Sequence, residues 1–407
     1  MKKQTTIRRL AASSVAFFYC LWSVVVAHAY AFNEIVPDMR QPASVTGSSA
    51  CPIPAHQLHN PGAIAVRWSI ALGSSPQTIR TADQTATGRL NEIEQVVQQS
   101  LNVWTNVSGT TLTPSSLGTM ARTSSAMACG SDGINSICFD QPDAAFTPGV
   151  LALTRVITAD AVGAQVGSGP AATEVGQILD ADIYFNPSDS SISFSTPSAL
   201  SANLKSYDLE SILTHELGHL LGFSHSAVWG SMMFPFAPAP GTFSGVRPSL
   251  QQPDAPLGDD DRTGLRTLYP DPLDTTYTGS IQGRVFPANP LSLPAAAPWV
   301  TGVFGAHVVA VDVATGSVIA GALGGWSCQS PGPVQFDGSY LIQHLPLGRS
   351  YAVYAEPLDG AVAPSEVSNA LITLCRNATT DPGWPPAQGC VVPTVNTQFT
   401  TRTRPGP

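Results

Sequence analysis

The spacing of His215, Glu216, His219, Gly222 and His225 narrows what this chain can be more than any other feature. Residues four apart lie one above the other on a helix, so His215 and His219 aim two imidazoles at one point, as a divalent zinc requires. Glu216 lies about 100° further round, where it reaches a water at that point without being forced to ligate the metal. Leu209, Leu213, Leu217 and Leu220 form the opposite, apolar stripe. Residues 209–221 therefore read as a helix with one metal-binding face and one core face. Gly222 at the helix end admits the left-handed conformation that turns the chain and returns His225 as a third ligand. Three protein ligands leave the fourth zinc position open, as in catalytic rather than structural sites. The full spacing is far rarer by chance than the bare His-Glu-x-x-His pattern, so coincidence on an ordinary amphipathic helix is the weaker reading.

These residues resemble the metzincin zinc endopeptidases, in which the same spacing is followed by a methionine turn, here Ser231-Met232-Met233-Phe234-Pro235. Within that group the chain is similar to the matrixins, the matrix-metalloprotease-like branch. Ser226 follows the third histidine, Met233-Phe234-Pro235 supplies the Met-aromatic-Pro triplet, and residues 257–269 resemble the closing helix of the matrixin catalytic domain. The resemblance implies one catalytic zinc on His215, His219 and His225, Glu216 as general base, and Met233 as the structural floor of the turn. It also implies a protein or peptide substrate laid extended along a sheet edge. Residues 149–156 are the candidate edge, with a buried interior strand as the other reading. Pro235 stands where the astacin and serralysin branches carry a tyrosine, so no tyrosine ligand is expected. Matrixins usually hold a second, structural zinc on three histidines and an aspartate ahead of the helix. No histidine lies between His59 and His215, so a single zinc is expected, with residues 157–176 among the more mobile parts of the domain. Calcium stays open as a further cofactor at Asp132-Gly133, Asp180 and Asp182, against turn and strand-end acids that hold no metal. The run Asp259 to Asp261 reads as acids favouring the positive end of a helix dipole.

The rest of the chain sets the context. Residues 1–29 carry Lys2, Lys3, Arg8 and Arg9 ahead of an apolar run ending in Ala27-His28-Ala29, the pattern of a secretory signal peptide. Its removal leaves a formal charge of −13, which excludes a basic nucleic-acid surface, and no later run is long and apolar enough to span a membrane. Six cysteines remain, and Cys129–Cys138 and Cys375–Cys390 are the preferred local disulfides of an exported, extracellular protein. Beyond an arm at 30–60, strands at 64–72, 133–139, 150–157 and 178–186 and helices at 90–104, 209–221 and 260–268 describe an α/β metzincin-like catalytic domain over 61–270, with a twisted mixed sheet and a long active-site helix. A linker at 271–278 follows. From 279 to 380 helical periodicity gives way to short strands that resemble the carboxypeptidase-regulatory-like or transthyretin-like β-sandwich, an all-β domain for docking to a surface or another protein, before a tail at 381–407. The expected function is a secreted zinc-dependent endopeptidase. Its rival is a secreted binding or adhesion protein acting through the β-sandwich, its protease domain lapsed.

Overall fold

A five-stranded mixed sheet, a long amphipathic helix and the histidine-bearing helix position the site in this computed structural model. The structure describes residues 79–112, 129–139, 149–186, 191–289, 300–329 and 334–357, Phe146, and the short strands Val24–Val26, Glu34–Ile35, Ile53–Pro54, Val66–Ser69 and Ala121–Arg122. The sheet runs in the order Ala121–Arg122, Val66–Ser69, Asn135–Cys138, Ile178–Phe185, Ala152–Thr158. The first four are parallel neighbours. Ala152–Thr158 pairs antiparallel with Ile178–Phe185 and is the last strand of the order among the described residues, which favours the edge reading of residues 149–156. Ile178–Phe185 is buried at every position, as a strand covered on both faces must be.

Helix Ala86–Thr105 begins where the Thr85 hydroxyl accepts the Gly88 amide at 3.0 Å, an N-cap that satisfies one otherwise orphaned donor. Its apolar stripe, Leu90, Ile93, Val97, Leu101 and Trp104, is buried throughout and packs against helix Leu209–Leu221. The indole of Trp104 donates to the Thr214 carbonyl at 2.9 Å, fixing the two helices in register.

Cys129 and Cys138 form a disulfide with Cα atoms 6.3 Å apart. Cys51, Cys375, Cys390, His56, His59 and the tail lie outside the described residues. Val24–Val26, inside the expected signal peptide, pairs antiparallel with Ser327–Gln329. Cleavage after Ala29 would remove that strand.

The described strands of the C-terminal region are antiparallel: Gly279–Arg284 with Ser339–Leu345, and Ala306–Asp312 between Val318–Gly324 and Tyr351–Pro357. Helix Asp259–Leu268 packs against both Val318–Gly324 and Ser339–Leu345. Val308, Ala310, Ile319, Ala320, Ile342 and Leu345 accordingly belong to the same contiguous apolar core as Leu217, Leu265 and Leu268. The segment expected as a linker does not separate two cores. The Arg266 guanidinium lies 3.5 Å from the Tyr277 ring centroid, and the Leu347 amide donates to the Thr276 carbonyl at 3.0 Å.

Candidate metal centre

The histidine helix starts from a short parallel ladder in which Phe194–Ser195 lies between Ile79–Arg80 and Tyr207–Asp208. Asp208 leaves that ladder as the N-cap, its Oδ1 accepting the Ser211 amide at 2.9 Å. At the other end Gly222 adopts φ 113°. Its amide bonds the His219 carbonyl and the Phe223 amide bonds the Gly218 carbonyl, both at 3.0 Å. This pair of bonds is a Schellman motif, and only glycine enters that conformation without strain.

The turn returns His225 to the helix. Ring centroids are 4.9 Å apart for His215 and His219, 4.9 Å for His219 and His225, and 5.4 Å for His215 and His225. One nitrogen from each ring lies within 4.8 Å of the others. The outer ring nitrogens of the two helical histidines are already engaged. His215 Nδ1 is 2.7 Å from the Met232 carbonyl and His219 Nδ1 is 2.8 Å from the Phe223 carbonyl. A carbonyl accepts only, so each Nδ1 must carry the proton and each Nε2 keeps its lone pair, the tautomer a metal needs. Burial, with His225 adding a smaller push, lowers His215 to about 4. Burial likewise holds His219 well below the ordinary histidine range. Both rings are neutral at pH 7.

Glu216 is buried beside them. The Thr154 hydroxyl, on the edge strand, donates to its Oε2 at 2.6 Å. Burial raises the Glu216 carboxyl to about 7, with the Thr154 hydrogen bond and His225 pulling the other way.

The methionine turn sits under the helix. A Cβ on Gly218 would lie 2.2 Å from Met233 Sδ and 2.9 Å from Trp104 Cζ2, so the glycine between the helical histidines lets methionine and indole reach the helix backbone. Met233 is buried. Asp261 clamps the turn, accepting from the Ser231 hydroxyl, from the Met232 amide at 2.7 Å and from the Met233 amide at 3.2 Å. Tyr269 donates its hydroxyl to the Leu221 carbonyl at 2.7 Å, joining the closing helix to the end of the histidine helix.

One reading from sequence changes here, and the open calcium alternative gains no support. The dipole argument suits Asp259, whose side chain is 46% exposed, but not Asp260 and Asp261, which are 4% and 1% exposed and act as buried acceptors. Among the described residues, the three histidines are the trio of His, Cys, Asp or Glu whose ligating atoms converge; Asp132, Asp180 and Asp182 do not. Asp180 Oδ2 accepts the Asp132 and Gly133 amides at 2.9 and 2.7 Å, and Asp132 Oδ1 accepts the Ile134 amide at 3.0 Å. These acids order the loop that the disulfide closes.

Sequence reasoning passed over Thr154, Gly218 and an aromatic cluster beside the turn. Trp229 and Phe236 are 84% and 66% exposed, and the Phe234 ring lies 5.0 Å from one and 5.8 Å from the other. The loop beyond is tied down by Arg247, which pairs with Asp208 and, at 2.6 Å, with Glu210.

Residues 169–270 match the family model described as Matrixin, Peptidase_M10. The match spans about a quarter of the chain and takes in strand Ile178–Phe185, the histidine helix, the methionine turn and the closing helix. This region is matrixin-like, and the class it defines is the zinc metalloproteases in general. The donor set fits the zinc that this family implies: three half-buried imidazoles, two with their tautomers fixed for coordination through Nε2.

Proposed function

We propose that the chain is an exported zinc-dependent endopeptidase, with His215, His219 and His225 as zinc ligands, Glu216 as general base and Met233 as the apolar floor. The observation that carries this reading is the locking of His215 and His219 Nδ1 onto backbone carbonyls next to a buried carboxyl held by Thr154. Bound zinc would supply a Lewis acid that polarises a scissile carbonyl and acidifies water. Glu216 takes the proton of the attacking water and delivers it to the departing amine nitrogen. Thr154 keeps the carboxyl aimed through both transfers. Strand Ala152–Thr158 offers its outer edge to an extended substrate backbone, and the same strand carries Thr154, so substrate register and base are set by one element. Trp229, Phe234 and Phe236 form an aromatic ledge beside the site that favours apolar substrate side chains. Export follows from residues 1–29, and the mass of the mature N-terminus checks it.

The test is digestion of casein or gelatin by purified mature protein with and without a chelator, alongside Glu216→Ala. That variant keeps its zinc and fold and loses at least about 10²–10⁴ in rate. Near-native, chelator-insensitive turnover would overturn the assignment.

A further inference from the structure

His225 differs from the other two histidines in what holds it. His215 and His219 stand on a helix with a closed hydrogen-bond ladder, whereas His225 stands on the stretch that follows Gly222, and its place depends on the path from 223 to 233. That path is closed by Ser226, whose amide donates to the Met233 carbonyl at 2.8 Å. The Ser226 hydroxyl accepts the Val228 amide at 3.0 Å and donates to Asp260 Oδ2 at 2.6 Å. The other Asp260 oxygen, Oδ1, accepts the Gly321 amide at 2.8 Å. One buried carboxylate thus joins the residue after His225 to the middle of a strand in the C-terminal β region.

A second contact runs beside the first. A Cβ on Gly321 would stand 2.9 Å from Val228 Cγ2 and 2.3 Å from His307 Nε2. The bare backbone of strand Val318–Gly324 therefore lies directly against the side chain three residues beyond His225, and any larger residue at 321 would push it away. His307 is itself fixed, its Nδ1 3.0 Å from Glu356 Oε1 on the neighbouring strand. The surface behind the loop is the strand pair Ala306–Asp312 and Val318–Gly324 of a hydrogen-bonded sheet.

We propose that the C-terminal β region is a working part of the metal centre: strand Val318–Gly324, acting through Gly321 and Asp260, positions the loop that carries His225. The inference rests on the zinc reading of the three histidines. Asp260 is a positioning residue, not a ligand, and the β region does more than space or dock the enzyme. Groups that orient ligands typically change metal affinity about 10–100-fold when removed, and the third ligand of an open site has no helix to hold it if this support goes.

The test uses the full chain and two readouts besides activity: zinc retention against a chromophoric chelator, and amide hydrogen exchange of residues 223–233 in zinc-free protein. Asp260→Ala and Gly321→Ala should each weaken zinc retention about 10-fold or more and speed exchange over 223–233, while residues 209–221 exchange as in the parent. Asp260→Asn, which keeps a carbonyl for the Gly321 amide and a polar partner for Ser226, should restore most of the retention. Gly321→Ala removes no charge and no hydrogen-bonding group, so it decides the question if Asp260→Ala fails to fold. Folded variants with parental zinc retention and parental exchange overturn the proposal. A parent chain that takes up no zinc refutes the protease reading instead, and the exchange of the zinc-free proteins still decides this one.

Discussion

Replacing Asp261 by alanine tests whether the methionine turn is held from behind. The Asp261 carboxyl is 1% exposed and accepts from Ser231, Met232, Met233 and, at 2.7 Å, the Gly258 amide. Not every donor is stranded by its loss. The Met233 amide retains the Ser231 hydroxyl at 3.1 Å, that hydroxyl can rotate, and the half-buried Gly258 amide can reach water. The Met232 amide has no such alternative, and an orphaned buried donor costs about 1–3 kcal/mol. Adding a partial loss from the others gives a destabilisation of about 2–5 kcal/mol. Because the Met232 carbonyl fixes His215 Nδ1, the same variant should loosen a ligand and lower zinc affinity about 10–100-fold. Urea unfolding monitored by tryptophan fluorescence measures the first effect and chelator competition the second. A variant with the parental unfolding midpoint and parental zinc affinity would show that the turn is held by its own backbone, and the reasoning would fail.

Gly218→Ala should gain about 1 kcal/mol of helix propensity and lose more to the clash with Met233 and Trp104, for a net destabilisation of about 1–3 kcal/mol; a rise in the unfolding midpoint would refute the packing argument. Asp182 is buried with Oδ1 unpartnered, and burial, reinforced by Asp180 and Asp132, raises it to about 7. A folded value above the unfolded one gives stability that is complete below about pH 4 and is lost progressively from there as pH rises through 7, so Asp182→Asn should be least different from the parent near pH 4 and gain on it up to about pH 7, by on the order of 2 kcal/mol or more at pH 8. Melting curves across that range check the sign. A chain ending at Pro270, where the sequence reading ends the catalytic domain, should fail to give a native near-ultraviolet spectrum, because Leu265 and Leu268 lose the strands that cover them; a soluble, zinc-retaining fragment would show that the two regions fold independently.

Much of this architecture is legible before any coordinates, for a specific reason. Period and punctuation report which residues face a core, and they do so well where elements are long: the histidine helix spans 209–221 in both readings, and the strands expected at 150–157 and 178–186 are observed at Ala152–Thr158 and Ile178–Phe185. Two-residue strands such as Phe194–Ser195 and Tyr207–Asp208 show no period and escape notice, although the second sets the N-cap of the histidine helix. Periodicity also does not say what a buried face is buried against. The apolar positions of Asp259–Leu268 predict a helix, but not that its far side packs on strands about sixty and about eighty residues later. A run of three aspartates looks solvated in sequence. Only the path of the chain shows that two of them point inward, toward backbone amides.

That inward pair bears on whether the site works or has lapsed. Burying a carboxyl is unfavourable, and Glu216, Asp260 and Asp261 are all pushed toward their protonated forms by burial. That cost is offset only by the hydroxyl and amide donors each acid meets, so each is kept where its donors stand. Here each buried acid is spent on a different part of one geometry. Asp261 holds the carbonyl that orients His215, Asp260 holds the loop that carries His225, and Glu216 stands beside the rings with its own hydroxyl partner. Buried acids whose hydrogen bonds all converge on one triad of nitrogens are the pattern of a preorganised site. It supports the proposed peptidase over the adhesion protein on grounds beyond the spacing of the histidines alone.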